Sequence, residues 1–191
     1  PFKPTGRSAG HMSLDYRALL QKGLKGIAED FCSHAHTKEQ KEYAALVERA
    51  VAAIGRYAER YALAAEAHDA RRAAAALRIV PMNPAQDFFS AVQSVWLMEM
   101  ILSCVTGGRD FAFSRLDLAL LPFFDAAESE DAQEILTEFL LHCNNIGGMG
   151  SELHVHMPVP CAATNIYLML GGRGAEEALA LDLCFLRAAL E

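Results

Sequence analysis

His11 directly follows Gly10 in a loop-like opening segment. An imidazole there can both donate and accept a hydrogen bond and titrates near neutrality, so it suits general acid–base work. The plainer alternative is a loop histidine that caps backbone groups. Lys3 lies eight residues upstream, where an exposed terminal lysine is the plain reading. Arg109 and Asp110 follow the Gly107–Gly108 pair. A guanidinium at such a bend can hold a carboxylate through two parallel hydrogen bonds, and a solvated turn is the alternative. Arg115 and Asp117 read as a structural ion pair, which fixes geometry more than it adds stability. His154 and His156 flank Val155, with Cys161 beyond. Both imidazoles share a face if the segment is extended, but no fourth zinc ligand is evident and Pro158 and Pro160 suggest a loop, so no metal site is assigned.

These residues need elements to position them. Residues 1 to 13 are rich in Pro, Gly and Ser and read as loop. A helix is expected from Leu14 to about Ser33, weakened by Gly23 and Gly26 unless these mark a close packing contact. Thr37 with Gln40 forms a capping box. It opens a long amphipathic helix with Tyr43, Val47, Ala50, Ile54, Tyr57 and Tyr61 on one stripe. If continuous to Leu77 it would span about 60 Å, and Pro81 stops it. Asn83 and Pro84 should start the next helix, with Gln86 completing a second cap. That helix carries Phe88, Val92, Val95 and Leu102 on one row, with Glu99 in the remaining position. Its apolar width implies burial, and a buried Glu99 requires an arginine partner or a role in a cavity. The Tyr43–Tyr61 stripe is expected to pack against it.

Further on, Ser114 to Phe124 suggests a short helix. Ser129 caps a helix from Glu130 to about Asn145, where early acids suit the dipole. Gly147 to Thr164 reads as irregular, Asn165 to Leu170 as a short strand closed by two glycines, and Ala175 onward as a last helix. The fold class expected is mainly α with few β strands.

Three stretches together resemble the glycyl radical enzyme superfamily, the pyruvate formate-lyase-like group. Gly10-His11 with Asp15-Tyr16 and the Leu20–Ile27 helix is similar to the glycine-histidine loop of dehydratase-type members. Arg60-Tyr61-Ala62, Pro81, Pro84-Ala85 and the Phe88–Trp96 pattern form the second stretch. Arg115-Leu116-Asp117 with Leu121-Pro122-Phe123-Phe124 forms the third, and Asn165 to Gly172 a weaker fourth. The order and rough spacing agree across most of the chain. Two features depart from the family pattern. Ser114-Arg115-Leu116-Asp117-Leu118 stands where Gly-Arg-x-Asp-Gln is usual, and the connection from Phe124 to Asn165 is short.

The resemblance implies a ten-stranded α/β barrel, of which residues 1–191 form part of the first half as one partial domain. It implies radical cleavage of a C–O, C–N, C–C or C–S bond in a small polar substrate, as in dehydratases and lyases, in an anaerobic cytoplasm. His11 would be catalytic; Lys3, Arg109 and Asp110 would bind substrate. A partner activase with S-adenosylmethionine and an iron–sulfur cluster would install the radical, and this chain itself would bind no cofactor. The remainder of the barrel and a homo-oligomer are expected partners. The sequence contains no Arg-x-x-Gly-Tyr radical loop and no Gly-Cys-x-Glu thiyl motif. The 191 residues alone are therefore expected to be inactive, and the chain reads as a section of something longer. A non-catalytic helical interaction protein derived from the family is the alternative.

Composition agrees with this reading. The chain has 191 residues, 52% of them hydrophobic, and a formal net charge of -7. That excludes a disordered chain and argues against nucleic acid, which needs a basic stripe. No apolar run reaches the roughly 18 residues of a membrane span. The five cysteines include no CxxC pair and read as free thiols in a reducing compartment.

Overall fold

A computed structural model describes residues 13–102, 112–149, 167–171 and 176–190, with backbone alone for residues 144–149 and 167. Its contacts group into two units, residues 15–95 and the described residues from 96 onward with 13–14.

In the first unit, helix α1 (Tyr16–Ser33) starts where the Asp15 carboxylate accepts from the Ala18 amide at 3.0 Å. Gly23 interrupts it with φ 67° and ψ 170°, a region that essentially glycine alone occupies. The break leaves α1 backbone groups without helical partners, and the segment after Val80 supplies them. Leu24 N–H donates to the Pro81 carbonyl (2.8 Å), Lys25 N–H to that of Met82 (3.1 Å), and Ala85 N–H to that of Leu20 (2.9 Å). A Cβ on Gly23 would stand 2.6 Å from the Asn83 backbone and the Met82 carbonyl oxygen. The close contact that the glycines suggested is therefore present at Gly23.

Helix α2 (Lys38–Ala67) opens with the expected Thr37–Gln40 capping box. It does not run on to Leu77. The chain turns at Asp69, whose φ is 59°, and α3 (Arg71–Leu77) folds back along α2. Arg78 then pairs with Glu66 at 2.6 Å. Folding back lets Ala74, Ala76 and Leu77 be buried, which one straight helix of that length could not do.

The packed face of α2 also differs from expectation. Its buried residues are Ala44, Ala58 and Ala62, and a Cβ on Gly55 would meet Met82. The main contacts of α2 are with α1 and α3 rather than with the Phe88–Leu102 helix. Tyr43 remains 59% exposed, beside Phe31, and Tyr61 41%. Small side chains allow helix backbones to approach closely, so the alanine–glycine stripe becomes the seam and the aromatic stripe its rim.

Helix α4 (Phe88–Met100) begins later than Asn83. The Asn83 side chain donates instead to the Ile79 carbonyl. Asp87 caps: its carboxylate accepts from Ser90 N–H at 2.7 Å, and Ser90 Oγ accepts from Asp87 N–H at 3.0 Å. Arg72 from α3 lies over the Phe89 ring, 4.3 Å from its centroid. As expected from its apolar width, α4 is buried on most sides, Glu99 included.

In the second unit, strand β1 (Ala112–Ser114) pairs in parallel with β2 (Tyr167–Leu168). Short helix α5 (Leu116–Leu120) follows β1, then single 3-10 turns at Leu121–Phe123 and Ala126–Glu128. Asp125 caps the Ala126–Glu128 turn, accepting from Ala127 N–H at 2.9 Å, and Ser129 is the first residue of the helix that follows rather than the residue before it. Helix α6 (Ser129–Met149) continues past the expected Asn145. It packs on α7 (Leu179–Ala188). The core includes Phe113, Leu116, Leu120, Leu136, Phe139, Leu181 and Phe185, with the Phe113 and Phe139 rings 5.2 Å apart. Among the described residues no helix is long and apolar enough to cross a membrane. The architecture is mainly helical with few strands, as the sequence implied.

Candidate functional site

The densest polar constellation among the described residues lies at the end of the parallel strand pair. Met169 N–H donates to the Ser114 carbonyl at 3.0 Å and closes the ladder. Ser114 has φ 50°, an unusual value for a residue with a side chain, and the chain leaves β1 sharply there. Arg115 and Asp117 follow at the turn into α5. Arg115 Nε donates to both Asp117 oxygens, at 2.9 and 3.1 Å, and Nη2 donates to Oδ2 at 2.7 Å. Asp117 is fully buried, while the Arg115 side chain keeps 26% exposure. The hydrogen bonds to Asp117 hold the guanidinium above even its ordinary high value.

A third group joins this pair. Asp182, in the first turn of α7, is 6% exposed and lies near enough to Asp117 to feel its charge. Burial raises the Asp182 carboxyl above the ordinary carboxylate range, and the Asp117 charge raises it further. Arg115 and a backbone hydrogen bond from Gly171 pull the other way. Gly171, at φ 76° with open space where a Cβ would be, closes the β2 end. The corner thus joins residues that follow β1, residues that follow β2, and α7.

Asp182 was not singled out in the sequence. The available signal was an acid inside the apolar run Leu181-Asp182-Leu183, the same signal that marked Glu99. Glu99 itself is 1% exposed. It stands close enough to Cys143 on α6 to add to the effect of burial, which pushes that thiol far up. Trp96 stacks on His142 at 5.2 Å, and His142 lies 3.9 Å from Glu138.

Of the residues that the sequence nominated, the structure brings Arg115 and Asp117 together. His11, Lys3, Arg109 and Asp110 lie outside the described residues, as do His154, His156 and Cys161. Among the described residues no group of three His, Cys, Asp or Glu side chains is arranged to hold a metal ion.

The family model described as pyruvate formate lyase-like matches residues 3–182. The chain belongs to that family, the domain family of the glycyl radical enzymes. Among curated proteins it is similar to the probable dehydratase YbiW of Escherichia coli (strain K12), at 23% identity over 133 residues, covering 60% of this chain and 16% of that protein. Among solved structures it is similar to one determined for 1,2-propanediol dehydration in Roseburia inulinivorans. The TM-score is 0.58 at 23% identity, covering 69% of this chain and 20% of that one. The likeness is one of fold, and the chain spans a minor part of the length of both relatives.

Proposed function

We propose that this chain contributes the first part of a dehydratase-type glycyl radical enzyme, which cleaves a C–O bond, or a C–N, C–C or C–S bond, in a small polar substrate. The observation that carries the reading is the family match over residues 3–182, joined to a relative named as a probable dehydratase. The parallel β1–β2 pair, with a helix after each strand, suits the start of the ten-stranded α/β barrel.

In this reading the Arg115–Asp117–Asp182 corner is scaffold. It fixes the chain immediately after β1, and Arg109 and Asp110 stand immediately before β1. Those two residues, with Lys3 and His11, are the proposed polar lining of the substrate cavity. His11 would protonate a leaving hydroxyl, and Arg109 would hold an anionic or hydroxylated group by paired hydrogen bonds. The radical, installed by an activase that uses S-adenosylmethionine and an iron–sulfur cluster, would supply the hydrogen abstraction. The cysteine and glycine that carry it match no motif in these 191 residues. A cytoplasmic, anaerobic setting and a homo-oligomeric assembly belong to the same reading.

The test uses the intact activated protein. His11→Ala should lower turnover of a vicinal diol or comparable small polar substrate by about 10²-fold. It should leave the organic-radical doublet in electron paramagnetic resonance and the melting temperature unchanged. Full turnover in that variant would remove His11 from the mechanism. Absence of any doublet in the activated parent would remove the radical reading altogether.

A further inference from the structure

Helix α7 is apolar on two opposite faces. Its inner face buries Leu181, Cys184, Phe185 and Ala188. On its outer face Leu179, Leu183 and Leu186, with Leu190 just beyond the helix, are between 44% and 87% exposed. These four leucines stand four, three and four residues apart, the repeat that forms a continuous seam along a helix. Asp182 is buried, so Arg187 is the one exposed charged residue of α7. A surface helix turns polar residues outward, and a helix that is apolar all round belongs in an interior.

The seam has a charged edge. Arg187, one residue past Leu186 and four past Leu183, lines an open groove with Glu130, Glu134 and Glu138 of α6. The three acids are spaced four residues apart and so lie along one side of α6, where like charges repel. A single arginine leaves that groove with an excess of negative charge.

We propose that the α7 leucine stripe and the acidic groove beside it seat one amphipathic helix, apolar on its inner face and carrying lysines or arginines along one edge, supplied by the part of the enzyme that this chain does not contain. The proposal rests on the reading of the chain as the first part of a larger enzyme. The seat takes about three turns of helix, because Leu179 to Leu190 extends over about 16 Å.

Two observations choose this occupant. The chain spans 20% of the structural relative and 16% of the curated one, so most of such an enzyme has still to pack against it. The charge pattern argues against a second copy of this chain. Two copies seated stripe to stripe would be related by a two-fold axis. That axis brings both acidic grooves to the same edge of the contact, and like charges set opposite each other are unfavourable. A helix with a basic edge meets the leucines with apolar side chains and the acids with cations.

The experiment uses the intact enzyme carrying Leu186→Cys. Alkylation of that thiol is read by peptide mass spectrometry, in native buffer and in denaturant. In the native protein labelling at position 186 should be lost within the time that completes it in denaturant, as at buried Cys184, and the protection should be independent of protein concentration. Native labelling as fast as in denaturant would overturn the proposal, because the stripe is then open. Protection that disappears on dilution would also overturn it, because a second copy is then the occupant. Adding Glu134→Lys and Glu138→Lys reverses the charge of the groove and should restore labelling at position 186; unchanged protection would overturn the basic edge. If Leu186→Cys does not fold, Leu183→Cys takes its place with the same outcomes. Labelling requires no radical, so the two readings fail separately. Protection without an organic-radical doublet removes the radical reading and supports the seat, and a doublet with position 186 open removes the seat alone.

Discussion

Replacing Gly23 by alanine should be among the most damaging single-methyl changes in the first unit. Two effects add. At φ 67° and ψ 170° a residue with a Cβ costs about 1–3 kcal/mol in backbone strain. The new methyl would lie 2.6 Å from the Asn83 Cα, the Asn83 carbonyl carbon and the Met82 oxygen. These are backbone atoms, so relief requires moving the whole 80–85 segment, and overpacking of this kind costs about 1–3 kcal/mol. That movement also strains the bonds from Leu24 and Lys25 to Pro81 and Met82, each worth about 1 kcal/mol. The strain and the overpacking together come to about 2–6 kcal/mol, a large part of the roughly 5–15 kcal/mol that holds a domain together. Gly26→Ala is the internal control. Its Cβ would meet only the Lys22 Cβ, at 3.1 Å on the same helix, and helix propensity offsets up to about 1 kcal/mol of that crowding. Hydrogen exchange of the intact variants, read at the Leu24 and Lys25 amides, measures the effect where it arises. Gly23→Ala should collapse the protection of both amides and Gly26→Ala should preserve it. Equal protection in the two variants would refute the account of the break in α1.

Arg115→Ala should cost about 3 kcal/mol or more at neutral pH, because it strands the buried Asp117 beside Asp182. Chemical denaturation of parent and variant at neutral pH checks this, and an unchanged stability would refute it. Alkylation of the native protein, followed by peptide mass spectrometry, should modify the half-exposed Cys32 well before Cys143 and Cys184. Burial raises all three thiols, Cys143 the most, and access then separates them; early labelling of Cys143 would place α6 differently.

Much of the helical content was legible because its determinants are local. The Thr37–Gln40 cap depends on side chains three residues apart, and the burial of α4 follows from apolar residues on most of its faces. The family resemblance also rested on short motifs that survive as text. What remained illegible depends on residues far apart in sequence. Whether α2 continued past Ala67 turned on the area gained when α3 folds back, which no window along α2 contains. The aromatic stripe looked like the seam because hydrophobicity was weighed, whereas the structure chose Ala44, Ala58 and Ala62 for their size. Helix backbones approach most closely where side chains are smallest, and only the neighbours reveal which face needs that approach. The Gly23 break is satisfied by Pro81, Met82 and Ala85, about sixty residues away. By itself the sequence determined most of the helical content, the Arg115–Asp117 pair and the family. Only the tertiary structure placed Asp182 near that pair, 65 residues beyond Asp117. Burial, set by the packing of α7, is what raises the Asp182 carboxyl above the ordinary carboxylate range.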